Sequence, residues 1–355
     1  MRLTVLSVAY PLAPAGPDAV GGAEQVLAHL DTALMRAGHR SIVVACEGSV
    51  TAGTLVATPA PNQVLSEAVR QWVQEQHGIG IERALDRWPI DIVHMHGFDF
   101  HAYLPPAGVP VLATLHCPVD WYAADALKPT RPCTYLNAVS ARQHELLPAS
   151  AALLPPIENG VRVDKLAGHY AKRGFALMLS RIAPEKGVHL AIDAAKATDL
   201  PLLIAGGVFP YPEHERYFAQ EVLPRLDRRR RTIGPVGFRR KRRLLAAARC
   251  LVVPSRVAET SSLVAREAIA AGTPVVAFRQ GALVDTVEDG RTGFLVDDVA
   301  ALGQGMLEAR HLDPEVCREA ARRRFSAEQM IRSYLRLYSA LARMGASEPI
   351  GASPA

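Results

Sequence analysis

Short runs rich in Val, Ile and Leu alternate with helical stretches along this entire chain, and that alternation leaves few architectures open. Each helix carries the chain back to the starting edge of the sheet. Successive strands therefore run the same way, and the product is a parallel sheet with helices on both faces. The first half offers strands at Leu3–Ala9, Ser41–Cys46, Ile90–His94, Val111–His116 and Tyr135–Val139, with helices at Ala23–Ala37 and roughly Val64–Arg87. The second half restarts the scheme, with strands at Phe175–Ser180, Leu202–Ala205, Cys250–Val253 and Pro274–Ala277 and helices at Gly187–Ala197 and Lys241–Ala248. Two such sets in 355 residues argue for an α/β protein of two Rossmann-like domains. The join falls at Pro155-Pro156-Ile157-Glu158-Asn159-Gly160-Val161, where prolines stiffen the chain and Asn-Gly turns it. Domains are expected at 1–158 and 159–325. A long amphipathic helix should follow over 326–343, then a frayed tail of small residues over 344–355.

Composition excludes several classes. Apolar residues make up 49% of the chain and charged ones 21%, the balance of a globular protein. Five scattered cysteines (Cys46, Cys117, Cys133, Cys250, Cys317) form no Cys-x-x-Cys pair. Neither a zinc knuckle nor a disulfide framework is suggested, which suits a reduced compartment. The first ten residues read as a strand rather than a leader, and no apolar run approaches the roughly 20 residues of a membrane span. The expected location is cytoplasmic.

The net charge of +5 is unevenly placed. Residues 225–243 hold ten Lys or Arg and one acid, Asp227, a local charge of +9 that leaves the rest of the chain at −4. Such a run reads as a solvated helix-and-loop face or as a peripheral contact with an anionic membrane. Nucleic acid is disfavoured, because only Phe238 interleaves the charges and no nucleic-acid module is visible.

The chemistry concentrates in a few places. Glu259 and Glu267 flank a loop-to-helix junction, Thr260-Ser261-Ser262-Leu263, and the helix runs on to Gly272. A helix N-terminus offers unpaired N–H groups and a positive dipole end, which suits a phosphate. Two carboxylates on either side suit hydroxyl groups. A nucleotide sugar carries both. In Ser180-Arg181-Ile-Ala-Pro-Glu-Lys186-Gly187, two cations follow a strand's C-terminal end, where α/β folds bind ligands, and could neutralise a diphosphate leaving group. Gly21-Gly22-Ala23-Glu24 opens a helix after the first strand and lets a ligand approach the backbone. His116 ends a strand, and His94 and His96 alternate on another. His94 reads as structural and His96 as lining the ligand side. Each feature also has a plainer reading. The glutamates could cap an ordinary helix, the glycines form a simple turn, the cations lie on a surface loop, and His116 be satisfied locally. No set of residues is spaced as a metal site.

Together these motifs resemble the retaining glycosyltransferases of family 4 (glycosyl transferases group 1), a large family that includes bacterial mannosyl- and glucosyltransferases. The resemblance runs from Leu3 to about Leu341 and is most specific from Leu177 to Val296. It implies a GT-B fold, two Rossmann-like domains facing a cleft, linked by a Pro-Asn-Gly-Val-like hinge, with the C-terminal helix crossing back to the N-terminal domain. It implies that His116, Arg181, Lys186 and Glu259 serve catalysis, and that Gly21, Gly22, Ser261, Ser262, Leu263 and Glu267 bind the donor. Glu259 would hold hydroxyls of the transferred sugar and Glu267 the ribose. The turn at Asp285 and Glu288-Asp289-Gly290…Gly293 supports the fold, and the backbone of Gly234-Pro235-Val236 would pass near the base.

The implied reaction moves a hexosyl unit from a UDP- or GDP-sugar to a glycan, lipid-linked or small-molecule acceptor. It proceeds without a metal or other cofactor, the leaving diphosphate taking the acceptor proton, in the setting of polysaccharide biosynthesis. One departure stands out: most relatives carry Gly-Phe-Gly after the first glutamate, where this chain has Thr-Ser-Ser. Two alternatives compete. A nicotinamide-dependent oxidoreductase would need a glycine fingerprint that Gly21-Gly22 does not supply. A non-catalytic basic binding module on a transferase scaffold is the other.

Overall fold

The computed structural model describes residues 2–19, 21–60, 66–168 and 170–347. The chain divides into two compact units, Met1–Ile157 with Met330–Ala355, and Glu158–Gln329. The expected helix residues Val64 and Leu65, and the tail from 348 onward, lie outside the described residues.

The first unit is built on a parallel sheet of seven strands: β1 (Thr4–Val8), β2 (Arg40–Cys46), β3 (Thr54–Thr58), β4 (Ile92–Met95), β5 (Val111–Leu115), β6 (Thr134–Ala138) and β7 (Leu153–Leu154). Their order is β3-β2-β1-β4-β5-β6-β7, with Leu6 of β1 facing Ile42 on one side and Val93 on the other. β1, β2, β4 and β5 are buried almost throughout, as a strand covered on both faces must be, which is why they read as unbroken apolar runs. Helices Gly22–Arg36 and Glu67–Arg87 lie in this unit, the second capped by Ser66, whose hydroxyl accepts from the Val69 amide. The strand order reverses between β1 and β4, so the loops after these strands diverge and leave a crevice at their C-terminal ends. Gly21-Gly22 follows β1, His96 follows β4 and His116 follows β5.

The C-terminal helix Ala327–Ser347 contributes Tyr334 and Tyr338 to this unit, both fully buried. They close a polar network whose protons can be assigned in sequence. Thr114 donates to Asn137 Oδ1 (2.7 Å), so its oxygen accepts from His94 Nε2–H (2.7 Å), and His94 Nδ1 accepts from Tyr338 (2.7 Å). Asn137 in turn donates to the Tyr334 hydroxyl (3.3 Å). Both His94 nitrogens are therefore satisfied inside the core, as burying a polar ring requires.

The second unit holds six parallel strands: β8 (Ala176–Leu179), β9 (Leu202–Ala205), β10 (Arg230–Thr232), β11 (Cys250–Val253), β12 (Val275–Phe278) and β13 (Gly293–Val296). Their order, β10-β9-β8-β11-β12-β13, reverses between β8 and β11. Helices Phe238–Ala247, Leu263–Ala270 and Pro314–Arg324 pack through Leu245, Ile269 and Ala320 into one apolar layer. Val188–Ala197 and Val299–Glu308 pack through Ile192, Leu302 and Met306 into the other.

The unit begins and ends on one short pairing. The Val161 amide donates to Phe325 O (2.8 Å) and the Ala327 amide to Val161 O (2.9 Å). Arg266, 3% exposed, fastens this pairing to helix Leu263–Ala270. Its Nη2 meets Glu158 Oε2 at 2.6 Å, its Nη1 donates to the Asn159 carbonyl, and its guanidinium lies 5.2 Å from the Phe325 ring.

The basic run needs correcting. It is not one solvated helix-and-loop face, because β10 lies inside it. Arg230 pairs with Leu202 in the sheet and is 6% exposed, its guanidinium meeting Asp199 (3.0 Å), Asp227 (3.2 Å) and the Ala195 carbonyl (3.1 Å). Arg229 also pairs with Asp199, and Arg225 with Asp193 and Glu221. The Arg239, Arg240 and Arg243 side chains of helix Phe238–Ala247 are exposed. Among the described residues they have no carboxylate partner.

Candidate active site

In the second unit the loops after β8 and β11 meet at the reversal point of the sheet. Gly187 makes that approach close: its φ is +64°, and a side chain there would collide with the Pro254 carbonyl. Gly281, at φ +55°, packs in the same way against the backbone of Glu259, and the Ala282 amide donates to Glu259 O (2.7 Å). Lys186 and Glu259, 73 residues apart in sequence, thereby form an ion pair of 2.8 Å.

The Ser255 hydroxyl donates to the same carboxylate oxygen, and Gln280 holds the Ser255 carbonyl. Burial pushes the Glu259 carboxyl upward in pKa. The Lys186 ammonium, with hydrogen bonds from Lys186 and Ser255, outweighs that effect and holds it below the usual carboxylate value. Arg181 lies in the same loop. Its guanidinium meets Glu185 at 3.1 Å and sits 5.4 Å from the Phe209 ring, and its charge also favours ionised Glu259.

Four residues beyond Glu259 begins helix Leu263–Ala270. Ser262 precedes it in a left-handed conformation, φ 50° and ψ 68°, which strains any residue other than glycine. This is the position where the resembling family carries its second glycine. The Ser261 and Ser262 hydroxyls are both buried and have no hydrogen-bond partner among the described residues. Buried hydroxyls are seldom left so, and these two lie at the N–H end of a helix. Glu267, one turn into the helix, is 8% exposed and meets Lys241 Nζ at 2.6 Å.

Lys186, Arg181 and Lys241 are thus each matched by a carboxylate of the same site: Glu259, Glu185 and Glu267. Sequence reasoning missed Lys241, which it counted only within the basic run, and also Ser255 and Glu185. Ser255 and Glu185 meet partners only four residues away through the path of an irregular loop, and Lys241 reaches Glu267 from a separate helix; no hydrophobic or spacing pattern announces either kind of contact.

In the first unit Gly21 is the N-cap of helix Gly22–Arg36, with ordinary extended dihedrals. The Glu24 carboxylate folds back against Gly21, so the acid nearest these amides is the chain's own. His116 Nε2 lies 3.0 Å from His96 Nδ1, and the two rings stack with centroids 5.2 Å apart. The His94 ring lies 4.0 Å from that of His96. Burial lowers all three pKa values, His116 to about 3 and the other two well below the ordinary 6.5, and their mutual repulsion lowers His94 and His96 further. All three are neutral at physiological pH. Among the described residues no group of three His, Cys, Asp or Glu is placed to hold a metal ion, and no helix is long and apolar enough to cross a membrane.

Known proteins match both units. Residues 174–310 fit the family model of glycosyl transferases group 1, and residues 20–149 that of glycosyltransferase family 4. An uncharacterized glycosyltransferase of Methanocaldococcus jannaschii is 32% identical over 143 residues, 40% of this chain and 38% of that protein, so the match spans well under half of that relative. The glycogen synthase of Mycobacterium tuberculosis is 27% identical over 91% of this chain and 89% of its own. Among solved structures, Anabaena HepE in complex with UDP and glucose superposes with a TM-score of 0.74 at 17% identity, covering 95% of this chain and all of that one. That likeness concerns the fold, the GT-B pairing of two Rossmann-like parallel-sheet domains. With its two family models spanning most of both units in the order seen here, the chain belongs to the family 4, group 1 glycosyltransferases.

Proposed function

We propose that this enzyme transfers a hexosyl unit from a UDP- or GDP-sugar with retention of configuration and without a metal ion. The observation that carries this reading is the buried Glu259 carboxylate held between Lys186 and Ser255, beside a helix N-terminus with two unpartnered hydroxyls. That HepE is described in complex with UDP and with UDP-glucose supports a nucleotide-sugar donor.

In this reading the diphosphate meets the N-terminus of helix Leu263–Ala270, where Ser261, Ser262 and Leu263 supply backbone and hydroxyl donors. It competes with Glu259 for Lys186 and with Glu185 for Arg181. Each cation is thereby drawn toward the phosphates as negative charge builds on the leaving group, which is where preorganised charge acts most strongly. The acceptor oxygen attacks C1 from the face the diphosphate leaves, the C1–O–phosphate bond breaks, and the acceptor proton passes to the departing phosphate oxygen. Glu259, relieved of part of its pairing, faces the sugar as its ring gains positive charge. Glu267 holds the ribose, and His116, with Gly21 and Gly22, serves the first unit's share of binding.

Because these cations neutralise the leaving group, no divalent ion is required. Family membership leaves the nicotinamide reading without support, and no observation favours a non-catalytic module. The acceptor is a glycan, a lipid-linked sugar or a small molecule. The unpaired Arg239, Arg240 and Arg243 favour peripheral contact with an anionic membrane, consistent with a cytoplasmic enzyme working on a lipid-linked acceptor in polysaccharide biosynthesis.

Nucleotide release from a panel of UDP-, GDP- and ADP-sugars, with and without acceptors, tests the core of this reading. Acceptor-dependent release from one donor, with the anomeric configuration retained by NMR, is the expected result. Inversion, or no release from any donor, would overturn it.

A further inference from the structure

Ser140-Ala141-Arg142-Gln143, after β6, has the form of a capping box, in which the side chain of the fourth residue reaches back to the amide of the first. Only half of that box forms. The Gln143 amide N–H donates to the Ser140 hydroxyl (3.1 Å), but the Gln143 side chain leaves the helix Ala141–Glu145 and goes to the sheet. There it is 3% exposed and makes three hydrogen bonds. Its Oε1 accepts from the Val139 amide (2.9 Å), and its Nε2 donates to the carbonyls of Leu115 and Cys117 (2.8 Å each). An amide N–H can only donate and carbonyls can only accept, so the orientation of the Gln143 amide has one solution.

β5 and β6 pair as far as Leu115 and Ala138. The Val111 amide donates to the Cys133 carbonyl, and such bonds recur at every second residue of the strand. The next rung would therefore join the Val139 amide to the Leu115 carbonyl. The Gln143 amide bridges that pair, and with its second hydrogen it reaches beyond the ladder to Cys117. The residue between the two carbonyls is His116. One planar NH2 group thus grips the backbone on both sides of His116, and the Cys117 amide is held in turn by the hydroxyl of buried Tyr122 (3.0 Å).

From this geometry we infer that Gln143 is a positioning residue for His116. His96 meets the His116 ring, but the direction of the Cα–Cβ bond decides where that ring can stand, and Gln143 fixes this direction through the two flanking carbonyls. The inference rests on the reading of His116 as an active-site residue in the proposed transfer.

Turnover and the His116 ring test it separately. Gln143→Leu keeps most of the side chain's bulk and removes all three bonds. It should lose roughly 10² in kcat, the scale of a group displaced by about 1 Å. Affinity for UDP or GDP, assigned to the second unit, should hold. In a His116→Ala background the same change should cost nothing further, because the group being positioned is gone. Equal losses in both backgrounds would mean that Gln143 only supports the fold, and would overturn the inference. Wild-type kcat in Gln143→Leu or in His116→Ala would do the same. Tyr122→Phe removes a single bond to the same loop and should show a smaller loss with the same dependence on His116. It decides the matter should Gln143→Leu not fold. In protein labelled with 13C-histidine, the His116 Cε1–H signal should shift and broaden in both variants, while that of His77, bonded to Thr58, stays in place. An unmoved His116 signal would refute the positioning role whatever the enzyme catalyses. If the wild type transfers sugar from no donor, the proposed function fails, and this signal alone decides whether Gln143 places the ring.

Discussion

Replacing Lys186 with Met would remove one partner of an ion pair and leave the other in place. In the wild type Glu259 is ionised and held by Lys186 at 2.8 Å, with side-chain exposures of 22% for Lys186 and 14% for Glu259. Breaking a fully buried pair costs about 3–5 kcal/mol, and losing one hydrogen bond to a charge about 1.5–3. The residual exposure places this pair between those scales, at about 2–3 kcal/mol.

The loss should depend on pH, and its sign can be worked out. The folded-state pKa of Glu259 lies below its ordinary 4.5. It therefore contributes stability above the unfolded value, and loses it as pH falls through the folded one. Without Lys186 the burial effect is opposed chiefly by the Ser255 hydrogen bond and the Arg181 charge, so the carboxyl moves upward. Lys186→Met should be least stable relative to wild type at neutral pH, and the deficit should shrink as acid protonates Glu259. Lys186→Met/Glu259→Gln should regain most of the stability, since no charge is then left unpaired. It should regain none of the turnover, which falls by roughly 10²–10³ when a preorganised charge is removed. Urea unfolding of both variants and wild type at pH 7 and pH 5, beside single-turnover rates, makes the comparison. Equal stability of Lys186→Met and wild type at pH 7 would refute the energetic argument. Undiminished turnover in the double variant would refute the phosphate role.

Other consequences are testable on the same protein. Glu259→Gln should lower turnover more than nucleoside diphosphate affinity, whereas Glu267→Gln should lose affinity, by about 1.5–3 kcal/mol for a charged hydrogen bond. The reverse pattern in calorimetry would exchange their roles. Activity should survive EDTA, and loss reversed by manganese or magnesium would contradict the charge assignment. Membrane contact is best tested with Arg239, Arg240 and Arg243 changed to Gln, sparing the buried Arg230. Binding to anionic vesicles should weaken by about 1 kcal/mol per charge, with turnover on a soluble acceptor intact. Indifference of the wild type to such vesicles at low salt would end that reading. Acid should weaken the first unit: His77 is buried against Thr58, and its pKa falls from 6.5 to about 4. The unfolded chain therefore binds its proton first, at a cost of about 2 kcal/mol at pH 5. His77→Gln should flatten the decline in stability below pH 6.5, and an unchanged slope would exclude His77 as its source.

Much of the sheet was legible because parallel strands buried on both faces leave apolar runs. Leu202–Ala205 and Cys250–Val253 coincide with β9 and β11 to the residue. The strands that escaped were those whose sequence carries another signal. β3 is a half-buried edge strand beginning and ending in Thr, β7 is two residues long, β10 reads as Arg-Arg-Thr inside a run of charge, and β13 follows directly on the Asp289-Gly290 turn and reads as part of it. Arg230 is buried there because Asp199 and Asp227 wait for it, 31 and 3 residues away. Ion pairs across such separations leave no periodic trace. The same holds at the site. The glutamates and the Arg-Lys loop could be picked out by spacing, but that Lys241 serves Glu267 depends on how two separate helices pack, and that Ser255 serves Glu259, four residues on, depends on the path of the loop after β11. The strained Ser262 hid behind a residue type common at helix starts, and only its positive φ sets it apart.

The second unit closes on itself before the chain leaves it. Glu158 and Asn159 are gripped by Arg266, and Val161 is bound to Phe325 and Ala327. The unit is thus an insertion whose two ends lie a hydrogen bond apart and are sealed by its own residues. An element built this way can be exchanged as a cassette. Grafting the corresponding stretch from a relative between residues 157 and 330 would carry its own clasp with it, and leave the Tyr334 and Tyr338 network of the recipient untouched.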